Sequence, residues 1–172
     1  RNLLQQANET SDGQHPFAVI LSCIDSRTSA ELVFDQGLGD VFSIRIAGNI
    51  VNEDILGSME FGCKVAGAKI IVVLGHTKCG AIKGACDNVA MGNLTGLIAK
   101  IKPAVEQESI TAENRNSSNG VFVENVAELN VSLSVKNILL KSPIIADMVK
   151  NGDIGIVGGI HDITTGEVKF FE

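Results

Sequence analysis

The chain predicts an α/β fold, a central mainly parallel β-sheet flanked by helices, and three observations carry that expectation. Short apolar runs rich in β-branched residues alternate along the chain with stretches of helical periodicity. Those runs are continuously apolar instead of alternating with polar residues, as strands are when helices cover both faces of a parallel sheet. A 45% hydrophobic content with 18 glycines suits tight strand-to-helix turns. At 172 residues the chain fits one domain, 1–172; a chain of that length buries roughly 70% of its unfolded surface.

Strand candidates come first. Phe17–Leu21, Val41–Ile46, Ile70–Leu74 and Ile154–Ile160 are short apolar runs bounded by Gly, Asp or Ser. Val168–Phe171, after the Thr165-Gly166 turn, adds an edge strand near the C-terminus. Between them, Asn52 caps a helix carrying Ile55, Leu56, Met59 and Cys63 on one side and stopping near Gly67. Asn93 caps another, with Leu94, Leu97, Ile98 and Ile101 on one face before Pro103. A long helix is expected from about Val121 to Leu140, and Ser142-Pro143 restarts a helix that ends at Asn151-Gly152. The polar stretch from Ser109 to Gly120 reads as a surface loop between helices. No internal repeat or low-complexity tract occurs.

Composition excludes several function classes. A formal charge of −6 without clustered Lys and Arg argues against nucleic acid, because phosphate binding needs such clusters to displace counterions. The apolar runs fall well short of the roughly 20 residues that span a bilayer, so no membrane span is expected. The chain starts at Arg1 without an initiator Met, so a preceding N-terminal segment is expected. The expected compartment is the cytoplasm, or the periplasm if a signal peptide has been removed.

The chemistry concentrates at two strand ends. Cys23 and Asp25 close the first apolar run, and His76 and Cys79 close the third. Neighbouring parallel strands would bring two thiolates and an imidazole together. Two sulfurs and one nitrogen suit Zn²⁺, and three protein ligands leave a tetrahedral position open, the pattern of a catalytic site. A redox pair or a merely packed cluster is the competing reading. The four cysteines could form two disulfides, but a chain this large rarely needs them; Cys63 and Cys86 are expected as small buried fillers of helices. Asp25 and Arg27 lie at alternate positions after Cys23 and are expected to face the same crevice. A carboxylate beside a metal either takes the fourth position or accepts a hydrogen bond from bound water, and a two-pronged pair with Arg27 favours the second. The bland alternative is an exposed ion pair of little energetic value. Gly75 to Gly80 lacks the Lys and Ser or Thr of a phosphate loop, and no Gly-x-Ser-x-Gly elbow occurs. His15 and His161 are expected to be surface or satisfied histidines, not ligands.

Cys23-x-Asp25-x-Arg27 followed by His76-x-x-Cys79-Gly80 closely resembles the β-class carbonic anhydrases. The likeness extends to Gly13-Gln14-x-Pro16, Phe34-Asp35-Gln36-Gly37, Arg45-x-Ala47-Gly48-Asn49 and Ile70–Leu74 with Gly75. The resemblance implies one Zn²⁺ per chain on Cys23, His76 and Cys79. It also implies Asp25 and Arg27 as a gate at the fourth position, and reversible hydration of CO2 to bicarbonate and a proton by metal-bound hydroxide. By the same likeness Gln14 and the Gly80 N–H contact substrate. Phe42, Ala47 and Phe61 form an apolar wall for CO2, contributed in part by a partner subunit in a homodimer or dimer of dimers. Phe61 stands where many members have Tyr. Ile20, Arg45 and Phe61 match a regulatory bicarbonate site of some bacterial members in which only the Arg survives here, so no such site is expected. The family's N-terminal helices are expected to be truncated or mostly absent. Two other functions remain open: hydrolysis of carbonyl sulfide or carbon disulfide on the same site, and a non-catalytic zinc-stabilised oligomer, in which Arg27 would have no purpose.

Overall fold

The computed structural model describes residues 2–171. Their sheet has five strands in the order β2-β1-β3-β4-β5. β1 (Ala18–Ser22), β2 (Val41–Arg45), β3 (Ile70–His76) and β4 (Gly155–His161) are parallel, and β5 (Val168–Phe170) pairs antiparallel with β4. The expected strand segments are all present, shifted by a residue or two at their ends. From β1 the chain continues to β2 on one side, and from β3 to β4 on the other. The order therefore reverses between β1 and β3, the point at which open parallel sheets place ligands beyond their carboxyl ends.

Burial of the two faces is unequal. One carries the large core, with Val19, Leu21, Ile71 and Val73 packed under α3 (Glu53–Glu60), α4 (Gly80–Cys86) and α7 (Gly120–Lys141). The other carries a small cluster of Ala18, Ile20, Val72 and Leu74 against α2 (Ala30–Val33). Continuous apolar sequence thus marks β1 and β3, buried almost throughout. Burial of both faces does not extend to β2, an edge strand whose Ser43 and Arg45 are exposed.

Local chemistry explains most helix ends. The Asn52 side chain accepts from Ile55 N–H at 2.9 Å, and Ser142 Oγ accepts from Ile145 N–H at 3.2 Å, both as expected. α3 does not run on regularly toward Gly67; it passes into a π turn over Phe61–Val65. A Cβ at Gly62 would lie 2.7 Å from Val19 Cγ2, so this turn seats directly on β1. Asn93 is not a cap. α5 (Gly92–Ala99) starts after Met91, whose N–H is taken by Thr95 Oγ1 at 2.8 Å. Pro103 sits in the first turn of α6 (Lys102–Gln107), where its missing N–H costs nothing. α1 (Leu3–Glu9) buries no residue, which is why no apolar pattern marks it. α8 (Pro143–Lys150) completes the set.

α7 lies close to the sheet because two strand residues lack side chains. A Cβ at Gly75 or at Gly158 would fall 2.7 Å from a Val131 methyl. The polar segment before α7 is fastened by a buried carboxylate. Glu108 accepts from Arg115 Nη1 at 2.6 Å, from Thr111 N–H at 3.1 Å and from Asn125 Nδ2 at 3.1 Å. Burial alone would raise its carboxyl, but the bonds from Asn125, Arg115 and Thr111 outweigh it and hold it below the ordinary range.

Two outcomes are expected from these contacts. Gly158→Ala should destabilise by about 1–3 kcal/mol through overpacking against Val131, read as a lower urea midpoint with unchanged slope. Because the Glu108 carboxyl is lowered on folding, its contribution is present above its unfolded pKa of about 4.3 and lost as pH falls through the lower folded value. Glu108→Gln should therefore flatten the acid limb of the melting temperature against pH; an acid limb identical to wild type would rule the network out as its cause.

Candidate metal centre

The register of β1 and β3 brings the chemistry together. Ser22 pairs with Leu74, so Cys23, just past the end of β1, lies near His76, the last residue of β3. Thr77 and Lys78 then turn sharply, with Lys78 at φ 56°, a left-handed conformation costly for a side-chain-bearing residue. Glu124 of α7 holds the turn by accepting from Lys78 N–H at 2.9 Å. The turn carries Cys79 back beneath the strand end, and α4 begins at the next residue.

Cys23 Sγ, Cys79 Sγ and a His76 ring nitrogen lie within 4.8 Å of one another, all on buried residues. The sulfurs are 4.0 Å apart. Two thiolates bound about 2.3 Å from one tetrahedral ion stand roughly 3.8 Å apart, so little movement is needed to receive one. The histidine is also prepared. Its Nδ1 lies 2.8 Å from Thr77 O, which can only accept, so Nδ1 carries the proton and Nε2 presents its lone pair. Nε2 is buried with no hydrogen-bond partner among the described residues, a costly arrangement unless a Lewis acid takes the lone pair. The donor set fits a metal ion.

The electrostatics agree. The contact between the two sulfurs holds Cys23 far below the ordinary thiol range, and that contact together with burial pushes Cys79 up. The two thiols therefore differ in how tightly each keeps its proton. Burial pulls the His76 imidazole down, but its contacts with Cys23 outweigh this and leave it raised. A metal ion would replace these protons.

Asp25 and Arg27 stand at the rim. Arg27 donates from Nε to Asp25 Oδ1 at 2.9 Å and from Nη2 to Oδ2 at 2.7 Å, the two-pronged pair expected. Asp25 Oδ2 is 3.8 Å from His76 Nε2. The Arg27 bond keeps the Asp25 carboxyl well below the usual carboxylate range. The chain does not stay extended here: Thr28 N–H donates to Asp25 O at 3.1 Å, and Arg27 reaches back from this turn with its side chain about half exposed.

The proposed substrate residues are more scattered. Ala47 lies in the single turn Ala47–Asn49 next to Cys23, and Gly80 opens α4 with open space where a Cβ would be. Gln14 is exposed in the segment before β1. Phe42 and Phe61 meet edge to face, with centroids 6.1 Å apart. They line a recess with Ser43, Ile44, Glu53 and Asp54 that contains none of the metal-site residues. Within one chain they do not wall the metal centre.

Several functional contacts escaped the sequence. Arg45 donates from Nε to Cys23 O at 2.9 Å and from Nη2 to Asp25 O at 2.6 Å, fastening the loop that carries both. Gly48 N–H points at Cys23 Sγ at 3.3 Å. His161 is neither exposed nor satisfied: it pairs in register with His76, is buried, and its Nδ1 has no hydrogen-bond partner among the described residues. Neither of its neighbours in sequence carries a motif that would have marked it.

A convergent Cys-His-Cys group that could hold a metal ion, at the crossover of a parallel sheet, places the chain in a class of α/β proteins with a candidate metal site. Comparison with known proteins narrows that class. The family model for carbonic anhydrase matches residues 18–168. Carbonic anhydrase 2 of Mycobacterium tuberculosis is 35% identical over 154 residues, 90% of this chain and 73% of that protein. The carbonic anhydrase of Mycolicibacterium smegmatis is 32% identical over 167 residues, covering 96% of this chain and 80% of its own. Among solved structures, the β-carbonic anhydrase CcaA superposes with a TM-score of 0.87 at 26% identity, over 98% of this chain and 79% of that one. A tetrameric β-carbonic anhydrase of Sordaria macrospora gives 0.83 at 27% identity, over 95% and 84%. The chain belongs to the β-class carbonic anhydrase family.

Cys79→Ser should abolish most stoichiometric divalent-metal binding, because a neutral hydroxyl replaces a thiolate. Metal analysis of purified, reduced protein checks it, and a full complement of metal in the variant would remove Cys79 from the ligand set.

Proposed function

We propose that the chain is a zinc-dependent carbonic anhydrase that interconverts CO2 and bicarbonate, with Cys23, His76 and Cys79 holding one Zn²⁺ and Asp25 held beside it by Arg27. The observation that carries this reading is the bidentate Arg27–Asp25 pair next to the converging ligand atoms. When bound, zinc supplies Lewis acidity and acidifies a water, less strongly than on three histidines because two thiolates cancel its charge.

The rest of the chemistry belongs to the chain. Asp25 stays ionised at every working pH because Arg27 binds both its oxygens, so it can only accept a proton in a hydrogen bond. By accepting from the attacking water species, Asp25 orients it toward the CO2 carbon. Arg27 is a positioning residue, occupying the carboxylate so that it does not become a fourth ligand. Gly80 N–H and the Gln14 amide would receive bicarbonate oxygens. Phe42 and Phe61 supply an apolar wall only if they approach the metal centre of another copy, because the recess they line in their own chain contains none of the metal-site residues. Their arrangement supports a homodimer, alone or paired, as the working form. A closed structural zinc site would not need Arg27 to restrain Asp25.

Metal analysis combined with stopped-flow CO2 hydration on one sample tests the reading. Stoichiometric zinc with CO2 turnover supports it; zinc-free reduced protein, or zinc protein releasing sulfide from carbonyl sulfide but inert to CO2, overturns it. Asp25→Asn should retain zinc yet lose about 10²-fold or more in turnover, since it removes a charged acceptor at the reacting atoms. Turnover should also climb between about pH 6.5 and about pH 9, following the weaker acidification at a neutral site. A flat profile over that range would contradict the thiolate assignment.

A further inference from the structure

We infer that Asn130 and Ser134 of α7 are positioning residues for the metal ligand Cys23, acting through the backbone of the Ala47–Asn49 turn; this rests on the metal reading above. Asn130 and Ser134 are separated by one helical turn and share a face. Asn130 Nδ2 donates to Gly48 O at 2.8 Å, and Ser134 Oγ donates to Asn49 O at 3.3 Å. Both side chains are buried, at 4% exposure each. The amide orientation of Asn130 follows from its partner, since a carbonyl accepts only from the nitrogen.

The turn they hold has one backbone bond of its own, from Asn49 N–H to Ile46 O at 2.9 Å, and a strained backbone. Gly48 has φ 67° and Asn49 has φ 41°, two successive left-handed residues. A Cβ at Gly48 would fall 2.6 Å from Ile101 Cδ1 and 3.2 Å from Ala81 Cβ, so the backbone is pressed into a space only glycine fits. This geometry sends the Gly48 N–H to Cys23 Sγ at 3.3 Å. The same peptide segment therefore receives a donor from α7 at its carbonyl and gives one to the sulfur at its amide. Val131, between the two anchoring side chains, packs into the gaps left by Gly75 and Gly158 and sets the height of α7 over the sheet. An N–H directed at a metal-bound thiolate withdraws electron density and fixes the ligand's direction, and loss of such outer contacts typically costs 10–100-fold in metal affinity.

The test uses Co²⁺ as the probe, titrated into the metal-free full chain with a competing chelator while the sulfur-to-cobalt absorption band is recorded. Asn130→Ala should weaken Co²⁺ binding about 10-fold or more and move the band to longer wavelength, as a less hydrogen-bonded thiolate donates more readily. Asn130→Asp should do at least as much. Ser134→Ala should act in the same direction by a few-fold, and Ser132→Ala on the exposed face should leave both readouts at wild type. A purely structural role would lower the unfolding temperature of metal-free and loaded protein alike and leave affinity and band position unmoved. That result overturns the inference while wild-type binding leaves the metal reading standing. Absence of binding in wild type overturns both. If the Asn130 variants do not fold, Ser134→Ala decides, and an unchanged dissociation constant and band sink the proposal.

Discussion

The adjacency of β1 and β3 is the constraint on which the rest depends. Parallel pairing in a fixed register places Ser22 against Leu74, and every later feature of the metal centre follows from what the chain does next. A slip of one residue would turn His76 to the opposite face of the sheet, because side chains alternate with period two. Such slips are opposed by burial. Val19 and Leu21 on β1 and Ile71 and Val73 on β3 are all completely buried in the large core. The hydrophobic core thus fixes the strand register at the site, and the polar contacts around Cys23 and Cys79 act on top of it.

α7 adds a second level of control. Its side chains reach the site from two directions: Glu124 restrains Lys78 between His76 and Cys79, while Asn130 and Ser134 hold the turn beside Cys23. Glycines at 75 and 158 let the helix approach closely enough for this. Arg45 of β2 completes the cage from the other side by binding the carbonyls of Cys23 and Asp25. Each of these bonds joins elements remote in the chain, so the site forms only when the whole sheet and its helical cover have assembled.

How much of this the sequence disclosed depends on whether the signal was local. β1 and β3 were legible because burial on both faces leaves a continuous apolar run, and the Asn52 and Ser142 caps because a capping side chain stands immediately before its helix. The Cys-His-Cys group and the Asp25–Arg27 pair were legible because each half is a short motif at a strand end. α1 was not, since it presents no buried face. The start of α5 was misplaced because the helix begins after Met91 with no side-chain cap, and Thr95, inside the helix, binds the Met91 N–H instead. The contacts of Asn130 and Ser134 and the burial of His161 were invisible for a different reason. They arise from contacts over more than 80 residues of chain, and nothing beside them in sequence distinguishes them from ordinary helix or strand residues.

The chain has neither tryptophan nor tyrosine, so the usual optical probes of tertiary structure are missing. Its four free thiols are all buried and can replace them. Cys63, in the π turn against β1, and Cys86, at the end of α4, become reactive only when the core opens. Cys23 and Cys79 carry an additional lock if a cation bridges them. A thiol-specific dye would then label the protein in two waves, and the interval between them would separate loosening of the fold from release of the ion.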